Sequence, residues 1–512
     1  MTRTLCAKYF AFRPAARIRS MTKGGVAAVL LLLVALPGSA SARLGGEAVI
    51  PGTPEGKVVR GLLDALASGE PSRWSEFITN HFADDFRNVA PLEFHLGIFG
   101  ELYDQSRGFE VHGFEATADH RYAVTVEANL TGLWQRLIVT FEPSAPPRLS
   151  GLGVRSASPP STEQSAEPLS TVDLVSRLDA YLERLARADV FSGAVLLAHE
   201  GRPLYVGAFG EADKAHHAPN HPDTRFNLGS MNKMFTAVAI AQLVERGLLS
   251  FDDPLWAHVP DVLDAETARS IRIEHLLSHS SGLGDYLDEM KDSPQVRYRT
   301  LDDFLGLVRG DTLQFQPGEK FGYSNAGYLL LGRVIEAVSG ENYYDYVRDR
   351  IYEPAGMFRA GAEPQDQVIA DLAVGYDKEF TEEGVRFRNN RFVVGLRGGP
   401  AGGGYATILD LLSFANALQR GELLDEKLVA VLTSAKPDLG STRYGYGFTV
   451  DTERNIVGHS GGFAGVSANL DIFLDHGFVG IVLSNYRGAI SPVVTKIRDL
   501  VQEAKGTRSE GR

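Results

Sequence analysis

The chain has 512 residues, 44% of them hydrophobic and 22% charged, which excludes a disordered or fibrous protein and allows two or three globular domains. Its formal net charge is −13, and removing the six basic residues of positions 1–42 takes it to −19, which excludes nucleic acid or an anionic membrane surface as the main partner. With Cys6 as the one cysteine, a disulfide framework is excluded too.

Residues 1–42 carry Arg3, Lys8, Arg13, Arg17, Arg19 and Lys23, no acid, and then the apolar run GVAAVLLLLVALPG. Ala40 and Ala42 give the small-residue pattern of a signal-peptidase site, so the segment reads as a signal peptide and the mature chain as exported, periplasmic or secreted. Its apolar run is shorter than the ~20 residues of a spanning helix, so no stable membrane insertion is expected after cleavage. MTKGG alone makes a charged leader start, so Met21 competes with Met1 as the true start. Cys6 lies inside the leader and outside any lipobox, leaving the mature chain without disulfide, thiol nucleophile or lipid anchor.

From 47 to 153 the pattern is of three helices (GKVVRGLLDALASG, SRWSEFITNHFA, PLEFHLGIFGELYDQ) and then four strands (FEVHGFEATA, YAVTVEANLTG, LWQRLIVTFE, RLSGLGVRS). Helices first and antiparallel strands after predict a small α+β domain with an accessory or packing role, since no catalytic constellation lies in it. Its element order resembles that of NTF2-like domains. Residues 154–170, rich in Ser, Pro and Glu, read as a linker.

The remainder, 171–505, opens with an amphipathic helix (VDLVSRLDAYLERLARA) and a hairpin (SGAVLLAHEGRPLYVGAFG). It closes with three strands (NIVGHSG, VSANLDIFL, FVGIVLSN) and a helix (SPVVTKIRDLVQEA). Strands from both ends with helices between predict an α/β (α+β) architecture: one antiparallel sheet assembled from the termini, flanked by helices, with an inserted helical subdomain.

Within it, NLGSMNKMFTAVAIAQLVERG is apolar on every face after Ser230, which predicts a buried helix ending near Gly247. Lys233 stands three residues after Ser230, so the two side chains share a face one turn apart. Burial and the positive end of the helix both favour the neutral amine, which could then serve Ser230 as a base. A helix-capping serine with a snorkelling lysine explains the pair equally well by itself. FGYSNAGYLLLGRVIEAVSG sets Tyr323 and Asn325 ahead of a second apolar helix, where a phenol can relay a proton and a carboxamide can clasp a peptide-like group. In NIVGHSGGFAG, His459 ends a strand and Gly461 and Gly462 let backbone N–H groups approach a ligand.

Ser230-Met-Asn-Lys233, Tyr323-Ser-Asn325 and His459-Ser-Gly461 resemble, in order and rough spacing, the three motifs of the serine β-lactamase and penicillin-binding protein superfamily. IEHLLSHSSGL (273–283) is similar to that family's stretch downstream of the nucleophile. The branch resembled is that of class C β-lactamases, D-alanyl-D-alanine carboxypeptidases, D-aminopeptidases and esterases, since the second motif is Y-x-N. The resemblance implies Ser230 as acylated nucleophile, Lys233 as its base partner and Tyr323 as proton relay. It further implies Asn325, His459, Gly461 and Gly462 as substrate-binding residues, with His459 beside Tyr323. The implied oxyanion hole is the N–H pair of Ser230 and Gly462. No metal or cofactor is implied, and the partner is a small-molecule or peptide acyl substrate.

His459 replaces the lysine usual in β-lactamases and is charged only part of the time near neutral pH, which favours an ester or D-peptide over a β-lactam. The alternatives are a true class C-type β-lactamase and a catalytically inactive relative that binds peptidoglycan. GHSGG would make Ser460 an α/β-hydrolase nucleophile, but an alternating strand pattern follows where a helix is required. His275 and His279 lack the glutamate of H-E-x-x-H and read as a helix end, His216, His217 and His221 as a solvated loop. The glycines of 398–404 read as tight backbone near the site, and the loops 285–320 and 376–400 as pocket walls.

Overall fold

The computed structural model describes residues 50–159, 168–287, 297–393, 395 and 397–504. The expected signal peptide, with Cys6, Met1 and Met21, lies outside the described residues.

Helix α1 (Pro54–Ser68) begins where Thr53 Oγ1 accepts from the Gly56 N–H at 3.1 Å and Pro54 fills a position that needs no N–H; it stops at Gly69, φ 67°. Helices α2 (Pro71–His81) and α3 (Leu92–Ser106) follow. Strands β1 (Phe109–Ala118), β2 (Arg121–Ala128), β3 (Trp134–Phe141) and β4 (Leu149–Ser156) then form an antiparallel sheet in chain order. Along β3 every second residue, from Gln135 to Phe141, is buried, so one face of the sheet closes over Trp74, Phe77, Phe82 and Phe99. The last strand runs to Ser156, paired with Gln135, so residues 154–156, expected in the linker, belong to the sheet; Val154 completes its apolar face.

Helix α4 (Thr171–Arg187) is capped by Ser170, whose hydroxyl accepts from the Asp173 N–H, and buries Leu174, Leu178, Tyr181, Leu182 and Leu185 at helical spacing. Strands β5 (Gly193–His199) and β6 (Arg202–Phe209) come next, then helices α5 (Asn232–Glu245) and α6 (Asn325–Ser339). A hairpin, β7 (Tyr376–Thr381) with β8 (Gly384–Asn389), precedes α7 (Ile408–Gln419). Strands β9 (Thr449–Asp451), β10 (Ile456–Phe463), β11 (Val466–Phe473) and β12 (Phe478–Ser484) lead to α8 (Ser491–Ala504).

The large sheet has the order β9-β10-β11-β12-β5-β6, antiparallel throughout, so strands from both ends of the segment meet at its centre. Alternation along β5 feeds two cores. Ala194, Leu196 and Ala198 pack with α5 and α7 on one face, and Val195 and Leu197 with α4 and α8 on the other. Among the described residues no helix is long and apolar enough to cross a membrane.

Hairpin β7–β8 joins the two units. Phe380 enters the core beneath the small sheet, its ring 5.9 Å from that of Trp74, and Lys378 Nζ donates to Asp104 Oδ2 at 2.5 Å. At the hairpin's base, Asp377 Oδ1 accepts from the Gly465 N–H at 2.7 Å, in the turn between β10 and β11. Phe380→Ala should destabilise this contact by about 3–5 kcal/mol, the range for a buried phenylalanine. Scanning calorimetry checks it; an unshifted unfolding profile would show that the ring does not hold the units together.

Candidate active site

Ser230 sits in a single 3-10 turn, Gly229–Met231, that leads into α5. Gly229 has φ 51°, and a Cβ there would lie 2.9 Å from the Gly462 nitrogen, so this close approach of turn to strand requires glycine. A Cβ at Gly461 would lie 3.1 Å from the Ser230 nitrogen. The structure thus brings the backbone of Ser230 and of Gly461–Gly462 together.

Helix α5 is buried on all sides, which leaves Lys233 no route along an exposed face to water. The side chain is 0% exposed. Its Nζ stands 3.3 Å from Ser230 Oγ, 2.7 Å from Asn325 Oδ1, and in a short contact with the Ala401 carbonyl. Burial brings its pKa down to about 7, against the opposing pull of Asp285.

Ser324 places the second group of residues. Its hydroxyl caps α6 by accepting from the Gly327 N–H at 3.1 Å and donates to the Gly284 carbonyl at 2.7 Å. Tyr323, just before it, is 40% exposed, yet its hydroxyl reaches Ser230 and its ring centre lies 4.9 Å from Lys233 Nζ. Desolvation pushes the phenol pKa well above its ordinary value, so Tyr323 holds its proton at neutral pH.

His459 departs from expectation. It is 4% exposed, its Nε2 stands 2.8 Å from the Tyr444 hydroxyl and its Nδ1 2.5 Å from the Ser460 carbonyl. The carbonyl can only accept, so the proton is assigned to Nδ1 and Nε2 accepts from Tyr444. Burial and the neighbouring Lys233 hold the ring's pKa down to about 3, so His459 is neutral near pH 7 rather than partly charged. With its nitrogens engaged by Tyr444 and the Ser460 carbonyl, what β10 presents beside Ser230 is the backbone of Gly461 and Gly462.

Three groups at the site were not legible in the sequence. Asp285 Oδ2 accepts from Asn325 Nδ2 at 2.8 Å, which turns the Asn325 carbonyl towards Lys233. His279, buried at φ 58°, accepts from the Ser324 N–H at 3.1 Å through Nδ1 and lies 4.1 Å from the Tyr323 ring. Tyr444 covers the far side, 4.7 Å from His279. Their partners lie far along the chain, so no local pattern marks them.

The remaining candidates separate. His275 Nδ1 accepts from the Arg272 N–H and closes a helix cap, so it and His279 serve different backbone amides. Ser460 lies within β10, paired to β11, and not at a strand-to-helix turn. His216 and His217 pair with Asp213 and Glu211 on an exposed loop. Glycines 402–404 do form tight backbone here: a Cβ at Gly402 would lie 3.1 Å from the Gly229 carbonyl. Among the described residues, Glu110, His112 and Glu127 bring ligand atoms within 4.8 Å of one another and could hold a metal ion; they lie on β1 and β2 and share no residue with this site.

A sheet built from both ends of residues 171–505, with a serine and a buried lysine at the mouth of a helix beside it, defines a serine acyl-transfer fold. The family model described as Beta-lactamase matches residues 178–504, and the chain belongs to this family, within the serine β-lactamase and penicillin-binding protein superfamily. It is similar to a penicillin-binding protein of Bacillus subtilis (strain 168), 30% identical over 328 residues that cover 60% of this chain and 71% of that one. Esterase EstB of Burkholderia gladioli is 33% identical over 222 residues, 40% of this chain and 56% of its own length. The crystal structure of a penicillin binding protein from Bacillus halodurans superposes with TM-score 0.56 at 34% identity, covering 62% of this chain and 98% of that one. The protein is a serine hydrolase of the β-lactamase type.

Proposed function

We propose that the protein is an exported serine hydrolase that forms an acyl-enzyme at Ser230 from an ester or a D-amino-acid peptide. The observation that carries this reading is the set of partners around Lys233. Asn325 Oδ1 and the Ala401 carbonyl can only accept, so a neutral amine donates its two N–H groups to them and turns its one lone pair to the Ser230 hydroxyl 3.3 Å away. That is the arrangement a serine needs to lose its proton as it attacks.

Acylation then runs as follows. Ser230 Oγ bonds to the acyl carbon while its proton passes to Lys233 Nζ. The bond from acyl carbon to leaving group breaks as that group takes a proton through Tyr323, whose phenol keeps one to give. Water repeats the sequence in reverse to free the acid. The Ser230 and Gly462 N–H groups face the oxygen on which charge develops, so they act on rate more than on binding. Residues 47–153 are proposed as an accessory domain, and export rests on the charged, apolar and small-residue pattern of 1–42.

The neutral, inward-facing His459 supplies no cation for the carboxylate of a β-lactam. A panel of short-chain p-nitrophenyl esters, D-alanyl-D-alanine peptides and a cephalosporin should therefore give Ser230-dependent turnover of an ester or D-peptide and little of the cephalosporin. Much faster cephalosporin hydrolysis would make this a β-lactamase instead. Failure of every acylating probe to label Ser230 would leave an inactive binding relative.

A further inference from the structure

The polar groups linked to the reactive serine form one chain. Ser230 meets Lys233, Lys233 meets Asn325, and Asn325 donates through Nδ2 to Asp285 Oδ2 at 2.8 Å. Asp285 stands on the stretch that follows His279, and it is exposed. Its Oδ1 accepts from the N–H of Leu287, two residues on, at 3.2 Å, so both carboxylate oxygens are engaged. In this chain of bonds Asp285 is the one anion, Lys233 the one group that can carry positive charge, and no arginine takes part. Lys233 is shut away behind Asn325, whereas Asp285 faces solvent.

Resting on the acyl-enzyme reading above, we propose that Asp285 determines specificity: its carboxylate at the mouth of the site selects acyl donors that carry an ammonium group near the scissile bond, such as esters or amides of amino acids with a free amine, and disfavours those that carry a carboxylate there. Two features give it this role. Its bond to Asn325 fixes the carboxamide with the carbonyl towards Lys233, which leaves the second Nδ2 hydrogen as the donor for a substrate carbonyl. Its exposed carboxylate is free to meet a substrate ammonium directly, and a partly solvated pair of charges a few Å apart changes binding by on the order of tenfold or more. The neutral His459 offers no cation nearby to offset it.

The test uses the full-length mature protein and three esters of one size class: D-alanine methyl ester, its N-acetyl form and its N-succinyl form, cationic, neutral and anionic in turn, followed by chromatography of the released acid. Wild type should favour the cationic over the anionic ester by kcat/KM, and 0.5 M sodium chloride should narrow the ratio. Asp285→Asn keeps an oxygen to accept from Asn325 and removes the charge. It should lower the cation-to-anion ratio about tenfold, whatever common fall all three esters show from the altered hold on Asn325. A ratio unchanged in Asp285→Asn, or an equal fall for all three esters, overturns the proposal, the second outcome because it marks a purely structural role. Equal Ser230-dependent hydrolysis of all three esters by wild type overturns this inference alone, whereas no Ser230-dependent hydrolysis of any ester, with no probe adduct, overturns the parent reading with it.

Discussion

Ser230→Ala should lower kcat/KM for the best ester or D-peptide by a thousandfold or more and abolish labelling by a fluorophosphonate, leaving thermal stability within about 1 kcal/mol of wild type. The rate falls because Oγ is the atom that bonds to the acyl carbon; neither Tyr323 nor any other group in reach of Lys233 can take its place. The fold stays because Lys233 keeps its other partners, Asn325 Oδ1 and the Ala401 carbonyl, and the alanine methyl group still fills the turn between Gly229 and Met231. Mass spectrometry of the labelled protein and a thermal melt check both halves. A variant retaining more than a tenth of wild-type activity would show that the nucleophile lies elsewhere.

Lys233→Met should cost 10²–10⁴-fold in kcat/KM and at the same time remove a pH-dependent destabilisation of the fold, because the two effects share one cause. An amine buried completely is harder to protonate in the folded state, and its pKa falls from 10.5 to about 7. The unfolded chain therefore binds the extra proton between those values, so native stability increases as pH rises from 7 to 10.5 and is lowest below pH 7. At 1.36 kcal/mol per unit the full penalty is about 5 kcal/mol, and methionine, similar in length and apolar, removes it. The unfolding free energy of the variant relative to wild type should be most favourable at pH 6 and fall by about 5 kcal/mol towards pH 10.5, where only the loss of the amine's bonds to Asn325 Oδ1 and the Ala401 carbonyl remains. For wild type, kcat/KM should rise with pH to half its plateau near pH 7, since only the neutral amine takes the serine proton; His459, protonated only near pH 3, adds nothing to that limb. A stability difference that does not change between pH 6 and 10.5, or a rate without a limb near 7, would show that Lys233 is held as an ammonium ion.

What could be read from sequence divides along a physical line. Ser230 and Lys233 lie on one helical turn, so their meeting is a matter of local geometry, and the apolar alternation in the sequence of β11 was equally local. Asp285 meets Asn325 across 40 residues and Ala401 meets Lys233 across 168, contacts that exist only once the loops have packed. His459 shows the other limit: its place on a strand was legible, although β10 runs on past it through the glycines to Phe463, and its charge depends on Tyr444 and on burial, which no spacing encodes. Residue type gave the place of the imidazole, and the packing around it decided its protonation. The small domain shows the same division, since its helices and strands follow from hydrophobic period, while the insertion of Phe380 from a hairpin more than two hundred residues away does not.

The pairing of β5 with β12 has a consequence for how the molecule comes into being. Gly193 meets Ser484 across about 290 residues of chain, so the central strand of the large sheet has no partner on that side until almost the whole polypeptide is available. During synthesis the N-terminal unit can collapse early, but Val195 and Leu197 must wait, exposed, for the last strands to arrive. Such a chain has a long interval in which its hydrophobic middle is open to water, to chaperones and to neighbouring copies, and the time it spends there is set by topology rather than by the chemistry of its active site.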